Sequence, residues 1–201
     1  VGRKKSYDRE VLIAKAMEVF RDRGFAGTSA ETLCEALGVN RFSIYAEFGN
    51  KQALFDAVLQ RYDDEAVERN FGPLEAPGAG LKEIRALLDS FGSARKSPAW
   101  GRGCLLCNTA VEFGPDDPSG SGFVKRYFKR LSAAFESSLT NARRNGDLHQ
   151  SVDPRREAGF LTSSVLGMFV MLRAKAPTSV IKGAAQSAIN YLGTLQAESV
   201  T

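Results

Sequence analysis

The 201-residue chain has few of the residues and motifs on which most enzymes depend. Its single histidine, His149, lies in the polar stretch GDLHQSVD, with no cysteine cluster and no HExxH spacing around it. GxSxG, P-loop and GxGxxG patterns are also missing. We therefore predict that the protein is not an enzyme and holds no cofactor or metal ion. An enzyme that uses an apolar cavity is kept as an alternative from another class.

Cysteines and long apolar runs are also scarce. Three cysteines, an odd number in a chain of this length, argue against a disulfide framework and favour a reducing cytoplasm. No run of about eighteen apolar residues is present, and no apolar run follows the basic residues at the N-terminus. We therefore predict neither a membrane span nor a signal peptide.

Positive charge is only slightly in excess. The formal net charge is +4, and residues 1–51 contain nine Lys or Arg against seven Asp or Glu, a difference of +2. The basic residues are concentrated in Arg3, Lys4 and Lys5, ahead of the first predicted helix. These three residues are predicted either to contact DNA phosphates or the minor groove as a flexible arm, or to form a solvated, frayed tail.

The segment from Gly24 to Lys51 contains two short helical patterns separated by Leu37-Gly38-Val39-Asn40. A short turn with a glycine between two helices is typical of a helix-turn-helix, whose second helix enters the DNA major groove. Gly38 suits the positive φ at a helix end, and Asn40 is a natural N-cap. The pattern predicts a second helix with Ile44 and Phe48 buried and with four residues left for a partner: Arg41, Phe42, Ser43 and Tyr45.

Other local signals predict the remaining helices. Thr28-Ser29-Ala30-Glu31 has the spacing of a capping box with Thr28 as N-cap, and Asp8 is expected to cap a first helix over 7–24. A long helix is predicted from Lys51 to about Asn70, and the glycines and prolines between residues 72 and 80 mark the clearest break. Later helices are predicted over 81–91, 104–113, 123–145 and 157–176. A last helix is predicted to follow, with Thr178 as its N-cap.

These helical patterns predict an all-α protein of about nine helices. Residues 1–51 form an N-terminal three-helix helix-turn-helix head, and residues 52–201 form a C-terminal helical bundle for effector binding and dimerisation.

The same head resembles the DNA-binding domain of the TetR family of bacterial transcriptional repressors. The resemblance is carried by Gly24-Phe25, Thr28-Ser29, Ala36-Leu37-Gly38-Val39-Asn40, Ile44-Tyr45, Phe48, Lys51 and Leu54-Phe55. It implies a recognition helix over 41–48, with phosphates held by Thr28, Tyr45 and Lys51. The full predicted DNA-binding set is Arg3, Lys4, Lys5, Thr28, Ser29, Asn40, Arg41, Phe42, Ser43, Tyr45 and Lys51.

One residue departs from the family pattern. Many members have an aromatic residue or histidine where this chain has Glu47. Phosphate would repel a carboxylate there, so Glu47 is expected to face away from DNA or to pair with a basic neighbour.

The last two predicted helices are rich in small residues, which let helix backbones approach closely. One interpretation is tight packing within a single subunit. The other, which the family resemblance implies, is a four-helix dimer interface with two helices from each chain. The predicted interface residues are Gly159, Ser163, Gly167, Ala184 and Ala188.

Large apolar side chains on helices that should face one another predict a ligand pocket, although ordinary core packing would explain them equally. The predicted lining residues are Phe91, Trp100, Cys104, Cys107, Asn108, Phe113, Phe128, Met168 and Met171. The segment from Gly103 to Ala110 also resembles one TetR subgroup. Cys104 and Cys107 form a CxxC pair near a predicted helix start, and a thiol-based redox regulator is the alternative that this pair supports.

Taken together, these patterns predict a homodimeric repressor that binds a palindromic double-stranded operator and is released by a small apolar or aromatic effector. The expected location is the bacterial cytoplasm, at the nucleoid when the protein is bound to its operator.

Overall fold

The computed structural model describes residues 7–94, 101–113 and 120–197, and α-helices account for most of these ranges. Extended pairing in them is limited to one antiparallel bridge between Leu148 and Gln196. The helices are α1 Arg9–Arg23, α2 Ala30–Leu37, α3 Arg41–Phe48, α4 Lys51–Tyr62, α5 Glu68–Glu75, α6 Leu81–Ser90, α7 Leu105–Glu112, α8 Ser121–Arg144, α9 Pro154–Arg173 and α10 Thr178–Thr194. A π-helical turn, Asp63–Val67, joins α4 to α5. Counting that run as one, the described ranges contain nine helices, which confirms the all-α prediction.

The head consists of α1, α2 and α3 packed on α4. Asp8 caps α1 by accepting a hydrogen bond from the Glu10 amide at 2.8 Å, and Gly24 ends that helix at φ 72°. Gly38 ends α2 in the left-handed conformation, which glycine adopts without steric cost. The predicted cap of α2 is wrong by one residue, because Ser29 and not Thr28 accepts the amide hydrogen bond at the N-terminus.

The helix that connects head and body is longer than predicted. It continues through Pro73 and ends only at Glu75, so the predicted break at Gly72-Pro73 is wrong. Pro73 removes one backbone donor near the helix end, whereas continuing the helix buries Phe71 and Leu74 at 2% and 1% exposure. Burial of two large apolar side chains outweighs the loss of one hydrogen bond.

The body packs α8 along α9, with α10 against α6 and α9. Asp153 caps α9 by accepting from the Arg155 amide at 3.0 Å, so this helix starts at Pro154, three residues before the predicted start. Proline is well tolerated there because the first helical position needs no donor. Pro177, not Thr178, is the N-cap of α10.

The buried apolar side chains of the head and body form one continuous cluster. Phe55, Val58 and Leu59 of α4 are all within it and are at most 1% exposed. No helix in the described part of the chain is both long enough and apolar enough to cross a membrane.

Candidate DNA-binding surface

Helix α3 is anchored on one side and open on the other. Ile44 and Phe48 are buried in the head at 2% and 8% exposure, as the helical spacing predicts. Arg41 is exposed, and the ring of Phe42 is 81% exposed on the same end of the helix. A large aromatic side chain this open to water at a helix start is available to a partner.

Hydrogen bonds from outside the helix fix the N-terminal end of α3. The Asn40 side chain accepts from the Ser43 amide at 2.8 Å, which confirms the predicted N-cap. The Tyr7 hydroxyl donates to the Ser43 carbonyl at 3.3 Å, so the segment just before α1 is joined to α3 at this point. The Arg41 guanidinium lies 5.2 Å from the centroid of the Tyr45 ring, which orients both side chains together.

Glu47 is directed towards α1. Its carboxylate lies 3.7 Å from Arg9 Nε, and the Tyr7 hydroxyl donates to it at 3.5 Å. The expectation that Glu47 pairs with a basic neighbour is confirmed.

Two predicted phosphate-binding residues have structural partners inside the head. Thr28 is fully buried, and its hydroxyl donates to the Gly24 carbonyl at 2.6 Å, so we leave it out of the proposed surface. Lys51 Nζ donates to the carbonyls of Phe25 and Thr28 at 2.9 and 3.0 Å. It also lies 4.1 Å from the centroid of the Phe25 ring. Ser29 is exposed at the start of α2, and Arg3, Lys4 and Lys5 lie outside the described residues.

The contacts of Lys51 lead to a prediction. Replacing Lys51 with Met should lower the free energy of unfolding by about 2 kcal/mol, because two carbonyls lose a charged donor. The slope of DNA affinity against salt should stay unchanged, since the ammonium group is engaged within the head. Urea unfolding and DNA titrations at several salt concentrations would measure both. Lys125→Met, at an exposed site, is the control; a slope reduced by about one unit would instead assign Lys51 to a phosphate.

Four of the predicted ligand-binding residues are part of the packed core. Phe91, Cys104, Cys107 and Met168 are at most 3% exposed. The ring of Phe91 packs against that of Phe169 at 5.0 Å between centroids, in an edge-on arrangement. These residues therefore contribute to packing within the body.

The other predicted ligand-binding residues are distributed over several places. Phe113 lies 5.3 Å from the ring of Phe25 in the head, and Phe128 and Met171 are partly buried against the core. Asn108 lines an open cleft of about 240 Å³. Trp100 lies outside the described residues.

Cys104 and Cys107 form a buried polar cluster with two tyrosines. Burial raises the pKa of Cys104, but hydrogen bonds from Cys107, Tyr127 and Tyr62 outweigh it and lower this pKa to about 6. The hydrogen bond to Cys104, followed by burial, raises the pKa of Cys107. A redox-sensing thiol needs access to its oxidant, and these two are 2% and 3% exposed. The structure does not favour the redox alternative.

The exposed side of α9 carries a continuous stripe of small and apolar residues. Gly159, Ser163 and Gly167 are exposed along it. Phe160 and Val170 lie on the same side, at 41% and 46% exposure. On α10, Ala184 is partly buried and Val180 is 51% exposed, whereas Ala188 is 3% exposed and packs inside the subunit. We leave Ala188 out of the proposed interface for that reason.

Contacts between head and body that the sequence did not indicate hold the end of α1. The Glu112 carboxylate, at the end of α7, accepts from the amides of Phe25 and Ala26 at 3.0 and 2.6 Å. Arg173, at the end of α9, donates to the Arg21 carbonyl at 2.5 Å. The partners of Glu112 are more than eighty residues away in the chain. No local pattern predicts such a contact.

A cleft of about 190 Å³ lies where α1 meets the connecting helix and the body. We call it the junction cleft, and Met17, Arg21, Tyr62, Arg69 and Phe169 are among its lining residues. The sequence contained one signal for it. Arg21 lies four positions after Met17, a spacing that places both side chains on the same face of α1.

Comparisons with known proteins agree with this architecture. Residues 12–58 match the family described as "Bacterial regulatory proteins, tetR family". Residues 80–188 match "Tetracyclin repressor-like, C-terminal domain".

Individual relatives cover most of the chain. The uncharacterized HTH-type transcriptional regulator YezE of Bacillus subtilis (strain 168) is 30% identical, over 88% of this chain and 91% of that protein. The HTH-type transcriptional repressor ComR of Escherichia coli (strain K12) is 28% identical, over 87% and 84%. A solved structure of the TetR family regulator CifR, a cysteine mutant complexed with double-strand operator DNA, covers 94% of this chain and 98% of that one. Its TM-score is 0.82 at 24% identity, a likeness that shows the fold. With both family matches and these relatives in agreement, this chain belongs to the TetR family of DNA-binding transcriptional regulators.

Proposed function

We propose that the protein is a repressor that binds a palindromic operator as a homodimer and leaves the operator when a small molecule binds. The observation that carries the proposal is the N-terminal end of α3, where Arg41 and the 81% exposed ring of Phe42 have no role in the core. The first residues of a recognition helix are those that meet base edges in the major groove. Repression by ComR and the operator complex of CifR support the same assignment.

The side chains at this end of α3 suit base readout better than phosphate binding alone. Arg41 offers a planar pair of donors, the geometry that binds guanine O6 and N7. Phe42 offers an apolar edge, which suits a thymine methyl group. Tyr7 and Asn40 hold the helix end in place, so little order has to be gained on binding.

Arg41→Ala should therefore weaken operator binding about tenfold to a hundredfold, which corresponds to about 1–3 kcal/mol for a bidentate guanine contact. Fluorescence anisotropy with a labelled fragment of the DNA upstream of the protein's own gene measures this. Arg155→Ala is the control, because it removes the same charge from an exposed site at the start of α9. Equal operator affinity for the Arg41 variant and the wild type would remove Arg41 from the recognition surface.

The proposed dimer uses the exposed stripe of α9 together with α10. Small residues allow close helix approach, and Phe160, Val170 and Val180 supply apolar area that a partner would cover. A two-fold dimer presents two α3 helices, and these can fill two half-sites when they are about 34–36 Å apart.

Release by a ligand requires two arrangements of head and body with different DNA affinities. The contacts of Glu112 and Arg173 with the end of α1, together with the α4–α5 run, connect the body directly to the head. Movement of the body can therefore change the separation of the two α3 helices. In this proposal residues 1–51 bind DNA, residues 52–201 dimerise and respond to the effector, and the complex works at the bacterial nucleoid.

A further inference from the structure

We propose that the junction cleft is the effector site and that it binds a small organic carboxylate with an aromatic or apolar body. The inference rests on the proposed function in one respect, namely that an effector exists. The junction cleft differs from the pocket that the sequence predicted in the core of the body. Most residues of that predicted pocket pack against one another or against the core in the structure.

The position of the cleft makes it sensitive to the head–body arrangement. Met17 and Arg21 come from α1 in the head, whereas Asn70 and Phe169 come from the connecting helix and α9. The cleft also borders the π-helical turn through Ala66, and such turns are frequently found at functional sites. A ligand that touches both sides binds well only when they are this close together.

The charge of the cleft favours an anion. Arg21 is a nearly buried cation, with its side chain 10% exposed, and its guanidinium lies 5.9 Å from the centroid of the Tyr62 ring. The Arg69 side chain makes no ion pair or hydrogen bond within the described ranges.

The two carboxylates that border the cleft are already engaged. Glu18 forms an ion pair with Arg102 and a longer one, 3.6 Å, with Arg21. Glu65 pairs with Arg61 at 2.8 Å. The Arg69 guanidinium is therefore the cation that a ligand can pair with, and guanidinium groups bind carboxylates through paired hydrogen bonds.

The apolar part of the lining favours a carboxylate ligand that also has an apolar body. Met17, Tyr62, Ala66 and Phe169 supply apolar surface, and the Asn70 amide is a single neutral polar group. The rest of the lining is mainly charged, so the cleft is about half polar and suits a ligand that combines an apolar body with a charged group. At about 190 Å³ the cleft is smaller than the usual sites for drug-sized ligands, so we expect a ligand of about one ring with a carboxylate.

Benzoate is the probe, and calorimetric titration of the free protein without DNA is the test. Saturable binding at one site per chain is expected, with benzamide, its neutral counterpart, at least tenfold weaker. Arg69→Ala should weaken benzoate binding about tenfold, because a charged hydrogen bond is lost. Arg155→Ala, about 21 Å along α9 from Phe169, should bind like the wild type.

A second variant blocks the cleft without changing its charge. Ala66→Leu fills the space beside Tyr62 and should remove saturable binding, while thermal unfolding followed by circular dichroism verifies that the variant is folded. The proposal is overturned if benzoate shows no saturable binding, if benzamide binds equally well, or if Arg69→Ala binds like the wild type.

Operator titration with and without benzoate separates this site from the proposed function. Operator binding by a protein that does not bind benzoate would overturn the site and leave the repressor assignment standing. Benzoate binding that leaves operator affinity unchanged would overturn its assignment as the effector site, because linkage requires the two affinities to change by the same factor.

Discussion

Replacing Phe55 with Ala should lower the free energy of unfolding by about 3–5 kcal/mol. Phe55 is 1% exposed, and its ring lies 4.9 Å from that of Phe20, 5.0 Å from that of Phe25 and 6.0 Å from that of Phe113. Three of these rings belong to the head and connecting helix, and Phe113 follows α7 in the body. Truncation would leave a cavity where the two parts meet, and the surrounding rings can collapse into it only partly.

Urea unfolding followed by circular dichroism would measure this loss. Phe42→Ala is the matched control, since it deletes the same atoms from a ring that is 81% exposed. The control should change stability by less than about 0.5 kcal/mol, and it should weaken operator binding because Phe42 faces the proposed partner. A similar stability for the two variants would mean that the aromatic cluster is not closely packed.

Replacing Gly167 with Arg should convert the protein to a monomer and weaken operator binding by about a hundredfold or more. A Cβ atom at Gly167 would meet no other atom within 4 Å, and arginine is a better helix former than glycine. The isolated subunit should therefore fold normally. In the dimer the added side chain would separate two closely packed helices, and a monomer loses the gain from binding two half-sites at once.

Sedimentation analysis gives the mass, and anisotropy titration gives the operator affinity. Gly122→Arg is the control, because Gly122 is an exposed glycine on α8 where an added Cβ makes only an ordinary contact at 3.5 Å. A Gly167→Arg protein that kept the mass of the wild type would place the dimer interface elsewhere.

Features that depend on neighbouring residues were predicted well. Asp8 and Asn40 cap their helices as expected, because each bond reaches an amide only two or three residues away. The buried side of α3, with Ile44 and Phe48, was also predicted correctly, since the helical period determines which residues share a face.

Features that depend on distant partners were predicted poorly. Thr28 and Ser29 are both good caps, and the choice between them depended on the burial of Thr28 within the folded head. The family resemblance implied a phosphate contact for Lys51, whereas the two carbonyl groups that accept from its ammonium lie 26 and 23 residues away, where no local pattern indicates them. The contacts of Glu112 had no signal in the sequence, since its partners lie 87 and 86 residues away.

The π-helical turn has a consequence for chain length. Tyr62, Val67 and Phe71 all face the core. The spacing between successive core-facing residues is therefore five positions across the turn and four positions after it. Removing one residue from the turn would make the first spacing four as well and restore ordinary α-helical geometry. The side chains before and after it would still face the same neighbours. The turn can thus lose a single residue without changing which side chains face the core, whereas a deletion elsewhere in α4 or α5 would rotate half of the helix away from it.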